Sequence, residues 1–323
     1  MKLKYLIDRF VDEMNGKDGQ RPVKALGTSH LYCLRRLQRA PIAEKEASEL
    51  KKSDIIEHVK ARRSEGISAA TAQHDVTFMR GVLQYAPSAW DDCENVSAAC
   101  ITAALPMLHK HGLIGKSNAR KRRPTDDELH RLIEYLTEQD KTAKVKVVPC
   151  LMFSLASTRR RGEICRMQWG DIDWDRKDAK GNPVPVYMIR DLKHPTQKKG
   201  NHVTFPLFDE LAAIIKAQPR LTDSPEERVF PYNDKSLGAR YTLAKRALGI
   251  VDLRFHDNRR EAISRYLKVL PPHEVRLISG HRNTVILEKV YDGRKAEDLH
   301  AKYSGSDCRL AAIGYPPEEQ LPA

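Results

Sequence analysis

Residues 254–265 read Arg254-Phe255-His256-Asp257-Asn258-Arg259-Arg260-Glu261-Ala262-Ile263-Ser264-Arg265. The apolar spacing predicts a helix over 256–269, and on a helix residues three apart share a face, so His256 and Arg259 point the same way. A planar guanidinium beside an imidazole suits an oxyanion whose charge is spread over several oxygens, and arginine grips phosphate with two parallel N–H donors. A lone His-x-x-Arg recurs by chance and by itself reads as a helix cap plus a surface arginine. Its meaning depends on the sequence around it.

Two other stretches share its character. Upstream, residues 155–173 read Leu-Ala-Ser-Thr-Arg-Arg-Arg-Gly-Glu-Ile-Cys-Arg-Met-Gln-Trp-Gly-Asp-Ile-Asp. Downstream, residues 277–282 read Leu-Ile-Ser-Gly-His-Arg, and Tyr291 stands ten residues beyond His281. Between them lie two β-prone runs, 183–189 and 201–207, joined by a polar, lysine-bearing turn over 193–200. Helical spacing surrounds them: Thr125-Asp-Asp-Glu128 starts one helix with a capping box. Further helices are expected over 143–156, 209–217, 236–248, 272–278 and 285–291. The region 125–303 thus reads as mainly α with a small antiparallel sheet, followed by a tail over 304–323.

Residues 1–115 carry helical periodicity with almost no strand signal. Tyr5, Ile7, Phe10, Val11 and Met14 trace one amphipathic helix that stops at Asn15-Gly16. Ser29, Ser53-Asp54 and Ser68 are expected to open three more, and Pro87 to interrupt the last of them. A further helix over 97–111 completes a unit of four or five. Between the two regions, 116–124 holds Arg120, Lys121, Arg122 and Arg123 beside Ser117, Asn118 and Pro124. Such a stretch reads as a linker, and its charges either face water or form a strap on an anionic polymer.

The whole chain agrees with an anionic partner. Of 323 residues, 56 are Lys or Arg and 43 Asp or Glu, giving a net charge of +13. Hydrophobic residues make up 41%, which is enough for real cores and too much for a mainly disordered chain. Apolar runs such as 147–156 fall short of the roughly 20 residues of a membrane span, and Asp8 and Arg9 sit where a signal peptide needs an apolar core. The expectation is a soluble, cytoplasmic protein with no membrane partner. The six cysteines are scattered, with no Cys-x-x-Cys pair and no zinc spacing, so neither a metal site nor a disulfide framework is expected.

The conjunction in order of an arginine-rich turn ending in Gly162-Glu163, a basic β-turn, His-x-x-Arg, Gly-His and a tyrosine resembles the tyrosine recombinases, specifically the phage-type integrases. The resemblance runs from the helical amino-terminal unit to Tyr291 and implies a core-binding domain followed by a catalytic domain. It places the family's first arginine at Arg160, three residues before the supporting acid Glu163, with Arg159 and Arg161 flanking that register. The second arginine falls on Arg259, its histidine partner on His256, and the Gly-His histidine on His281. Tyr291 matches the nucleophile at a spacing one residue longer than is common, with Tyr303 as rival. The family's hairpin lysine falls on Lys198 by its offset to Pro206 or on Lys193, with Lys199 third. The chain departs from the family where the usual Thr-Gly is Ser157-Thr158.

These residue types fit phosphodiester chemistry. Attack at phosphorus builds negative charge on the non-bridging oxygens, which Arg160, Arg259 and His281 would hold. His256 could take the phenolic proton of Tyr291, and a lysine could protonate the leaving 5′-oxygen. The resemblance implies a site-specific DNA recombinase acting through a 3′-phosphotyrosyl intermediate without a cofactor. It would be a monomer or weak oligomer when free and a homotetramer on double-stranded DNA. A topoisomerase of type IB and a non-catalytic DNA-binding regulator of the same fold are the alternatives.

Overall fold

The computed structural model describes residues 1–17, 22–117, 120–192 and 199–290. The chain divides into two compact units, Met1–Ala119 and Arg120–Ala323, and the division falls inside the basic stretch over 116–124.

The first unit is helical: α1 (Leu3–Asn15), α2 (Thr28–Leu37), α3 (Lys52–Ser64), α4 (Ala69–Ala89) and α5 (Ala99–Lys110). Leu3, Leu6, Ile7, Phe10, Val11 and Met14 recur every three or four residues on α1 and are all buried, and Gly16 ends the helix at φ 73°. Ser68 caps α4 by accepting from the Thr71 amide at 3.2 Å. Two expected caps are corrected. Ser29 lies inside α2, which begins at Thr28 after Gly27. Ser53 lies inside α3, where the Asp54 carboxylate instead accepts from the Lys51 amide at 2.8 Å. Pro87 does not interrupt α4, which continues to Ala89. So close to the helix end, its missing N–H and its ring disturb only the last turn. Leu34, Val76, Met79, Leu83, Ile101 and Leu108 share the core with the α1 face.

The second unit contains α6 (Asp126–Asp140), α7 (Val148–Ser157), α8 (Arg161–Ile164), β1 (Ile172–Asp173), β2 (Val186–Ile189), β3 (Val203–Pro206), α9 (Asp209–Lys216), α10 (Asp234–Ala247), α11 (Phe255–Val269), α12 (Pro272–Ser279) and α13 (Val285–Val290). The capping box of α6 forms as its sequence predicts, with Thr125 Oγ1 accepting from the Glu128 amide at 3.2 Å and Glu128 accepting from the Thr125 amide at 2.9 Å. Helix α7 starts at Val148, five residues later than the helix expected from 143. The Asp140 carboxylate accepts from the Val147 and Val148 amides at 2.7 and 2.8 Å and fixes the start there.

The sheet has the order β1-β2-β3, antiparallel throughout, with Tyr187 opposite both Ile172 and Phe205. Strand β1 was not expected, because two residues are too few to show alternation. Tyr187 of β2 packs against both Phe205 of β3 and Phe153 of α7, and Phe153 in turn packs on Phe230 with ring centroids 5.3 Å apart. Helix α11 lies against α7, and the Tyr266 hydroxyl donates to the Ala156 carbonyl at 2.7 Å. No described helix is long and apolar enough to cross a membrane.

Candidate active site

The α7–α8 turn carries the first group of site residues. Ser157 ends α7, and Thr158 follows in the left-handed region at φ 60°. β-Branched residues rarely enter that region, and holding one there costs of order 1–3 kcal/mol. Here the surroundings fix it: the Thr158 carbonyl accepts from Arg259 Nη1, and its Oγ1 accepts from Arg159 Nη2 at 3.0 Å. The position where the family has glycine therefore keeps the glycine-like conformation.

Arg160 is the residue before α8, and Glu163 sits in that helix's first turn. The buried Glu163 carboxylate accepts from the Arg160 amide at 3.0 Å and from Arg160 Nη1 at 2.7 Å. Burial by itself raises the pKa of that carboxyl, but the charges of Arg160 and Arg159, the Arg160 amide and Arg259 hold it below the ordinary carboxylate range. Arg160 is thus gripped on one side and still 29% exposed on the other. Arg161 turns elsewhere and pairs with Asp234 at 3.4 Å.

Arg259 lies one turn into α11 and is 1% exposed. Besides the Thr158 carbonyl it reaches the Ser279 carbonyl, with Nη2 donating at 2.9 Å. It therefore joins the α7–α8 turn to the end of α12, two segments far apart in the chain. There Gly280 adopts φ 70° at the helix stop, and a Cβ on it would lie 3.1 Å from Leu192 Cδ2 and 3.2 Å from Phe205 Cζ. This close approach explains the glycine of the Gly-His pair. His281 follows, with its Nδ1 2.7 Å from the Ser279 hydroxyl.

The electrostatics show which residues meet. Burial, then the charges of Arg259, Arg160 and Arg159, lower the His281 pKa to about 3. His256 is surface-exposed on its outer side, but packing on its inner side together with Arg259, Arg160 and Arg260 lowers its pKa too. Both imidazoles are neutral near pH 7 and can accept a proton once an anion offsets the surrounding cations. A cleft of about 300 Å³ opens here, lined by Arg160, Arg161, Gly162, Arg254 and His256 among others.

Arg160, Glu163, His256, Arg259 and His281 are therefore assembled from three distant segments into one cationic site. Lys193, Lys198 and Tyr291 lie outside the described residues, as does Tyr303, while Lys199 is exposed. The basic stretch behaves differently from a free strap. Arg120 forms ion pairs with Asp257 at 2.8 Å and Asp252 at 2.7 Å, and Arg122 pairs with Glu128. Arg123 is 3.8 Å from Glu261, and Lys121 is exposed. Two of the four charges are thus bound firmly to carboxylates of their own unit.

Residues 122–297, just over half of the chain, match the phage integrase family. The chain belongs to the phage integrase family. Among its relatives, this integrase-family chain is 25% identical over 276 residues to the shufflon-specific DNA recombinase of Escherichia coli. That alignment covers 82% of this chain and 64% of the relative. Its fold is that of the Tn1549 transposon integrase solved with transposon right end DNA (TM-score 0.67, 14% identity, 94% of this chain and 99% of that one). A lambda integrase tetramer bound to a Holliday junction is similar as well (TM-score 0.64, 14% identity, 92% and 80%). Sequence reasoning did not identify the roles of Thr158, Arg159 and Ser279 in this integrase-family site. The one signal was Ser157-Thr158 standing where the family has Thr-Gly.

Proposed function

We propose that this chain is a site-specific DNA recombinase that cuts and rejoins strands through Tyr291. The observation that carries this function is the gathering of Arg160, Arg259, His256 and His281 into one cationic cluster, with a cleft beside Arg160 and His256, in a member of the phage integrase family. Arg160 and Arg259 neutralise the non-bridging oxygens of a backbone phosphate, and their preorganisation stabilises the extra charge of the pentacoordinate transition state. The Tyr291 oxygen attacks phosphorus as its proton passes to His256, and the bond from phosphorus to the 5′-oxygen breaks. Lys198 or Lys193 protonates that oxygen. The phosphotyrosyl ester conserves the bond energy, so a 5′-hydroxyl from another strand reverses the step without ATP. The net charge of +13 supports binding to double-stranded DNA, with affinity falling steeply as salt rises. The tetrameric state of the lambda relative on its junction supports the same assembly here on DNA, from a monomer or weak oligomer when free. Cytoplasmic action without a cofactor completes the proposal.

The test uses a half-site duplex selected by binding to the full chain from a randomised pool, then nicked so that the cleaved end diffuses away. The wild type is expected to form a covalent adduct that survives denaturing electrophoresis, Tyr303→Phe to retain it, and Tyr291→Phe to lose it. An adduct with Tyr291→Phe would falsify the nucleophile assignment. Bound but uncleaved wild-type complexes point instead to a DNA-binding regulator, and sequence-independent plasmid relaxation to a topoisomerase.

A further inference from the structure

The turn that carries Arg160 begins with another arginine, which the mechanism above does not use. Arg159 has no exposed surface, and among the described residues no carboxylate forms an ion pair with it. Its Nε donates to the Ser157 carbonyl at 3.1 Å, and its Nη2 donates to Thr158 Oγ1 and to the Ile278 carbonyl. The guanidinium carbon lies 3.8 Å from the centroid of the Phe205 ring. Its Nη1 is buried without a hydrogen-bond partner.

As plain packing this is a poor choice. A buried guanidinium loses several kcal/mol of hydration, and an apolar side chain of the same volume fills such a space at lower cost. The contacts of Arg159 indicate what the charge supplies. The last carbonyls of α12 have no partner within the helix, and they form its negative pole. Arg159 takes the Ile278 carbonyl and Arg259 the next one, Ser279. Two guanidinium groups thus hold consecutive carbonyls of the turn that presents His281. The same Arg159 group stacks on Phe205, the β3 residue against which Gly280 is pressed.

We propose that Arg159 is a positioning residue of the site, a buried cation that fixes the α12 carboxyl-terminal turn against β3 and so sets the place of His281. This role rests on the recombinase function proposed above. Arg259 holds the Ser279 carbonyl, so without Arg159 the Ile278 carbonyl keeps only the long donation from the Thr158 hydroxyl at 3.4 Å, and the cationic stack on Phe205 of β3 is lost. The Arg159 charge also helps keep the His281 imidazole unprotonated in the free protein.

The test compares Arg159→Met, which keeps the volume, and Arg159→Lys, which keeps the charge without the planar fork, with the wild-type full chain. On the selected half-site duplex, Arg159→Met is expected to bind within about threefold of wild type and to cleave about 30-fold more slowly in a single turnover. Those figures correspond to about 2 kcal/mol in the transition state alone. Arg159→Lys is expected to recover only part of that rate. In carbon-13-labelled histidine spectra of the DNA-free protein, the His281 signal stays flat from about pH 7 to 5 in wild type and in Arg159→Lys. In Arg159→Met it begins to move over that range, because a neighbouring cation is gone. Should Arg159→Met fail to fold, Arg159→Lys is read by the same rate criterion. Cleavage by the folded variants within threefold of wild type, with an unmoved His281 signal, overturns the positioning role. If the wild type forms no adduct, the recombinase function fails instead, and the histidine spectra still decide whether Arg159 governs His281.

Discussion

In the first unit a buried carboxylate is surrounded by donors; in the second, buried and half-buried cations surround a carboxylate that cannot balance them. Asp75 of α4 is 1% exposed and accepts from Arg62 Nε at 3.0 Å, from Arg36 and from Cys33 Sγ at 3.0 Å, with His58 Nε2 3.7 Å away. Burial raises its pKa, but His58, Cys33 and the two arginines outweigh that and keep it below the ordinary range. Arg62 and Arg36 come from α3 and α2, and Arg62 also pairs with Glu65, so the cluster ties three helices together and sets two carboxylates against its two guanidinium groups. Around Glu163, by contrast, stand Arg159, Arg160 and Arg259. Arg160 forms an ion pair with it at 2.7 Å. A balanced cluster is complete as it folds, whereas a cationic surplus beside a cleft is completed by an anion.

The comparison breaks most visibly at Asp75. Asp75→Asn leaves the buried Arg62 and the half-buried Arg36 facing a neutral amide, and a loss of ~3–5 kcal/mol is expected in urea unfolding of the first unit. A loss below about 1 kcal/mol would mean that the cluster adds nothing to the fold.

A smaller effect follows from the second cluster. An unfolded histidine takes up its proton below about pH 6.5, whereas folded His281 resists protonation until about pH 3. Between those values the unfolded state binds more protons, so stability is complete above the window and declines as pH falls through it. His256 acts in the same direction, and Glu163 adds to the loss at the acidic end. Replacement by His281→Asn is expected to flatten the dependence of the unfolding midpoint on pH by up to ~1.4 kcal/mol per pH unit. Equal slopes in wild type and variant would show that His281 is not held neutral.

The smallest effect sharpens the contrast. Inorganic phosphate is expected to stabilise the second unit and leave the first unchanged. At a concentration ten times its dissociation constant the gain is ~1.4 kcal/mol, read as a shift in that unit's thermal transition. Arg160→Gln should abolish the shift. Equal stabilisation of both units would reduce it to a general salt effect.

Much of this organisation is legible in the chain. The α1 face apart from the exposed Tyr5, the Ser68 and Thr125 caps and the two longer strands follow from local spacing and local hydrogen bonds, which a linear sequence displays. Helix starts failed where a distant group intervened. Helix α7 begins at Val148 because Asp140 reaches its amides, although the expected helix opened at 143. The basic stretch shows the same limit: its charge is plain in the sequence, but the pairing of Arg120 with Asp257 spans 137 residues.

The site divides likewise. Residue type and order, taken with the family resemblance, single out Arg160, Glu163, His256, Arg259 and His281 as candidates, because oxyanion chemistry suits groups of those kinds and the family arranges them in that sequence. Three adjacent arginines at 159–161 look equivalent in the chain, and only the tertiary structure separates them. Arg159 is buried beneath Phe205, Arg160 lines the cleft beside Glu163, and Arg161 turns to Asp234. Backbone direction at a strained turn and the partners waiting on α12, α8 and α10 assign those roles, and neither is a property of the three residues themselves.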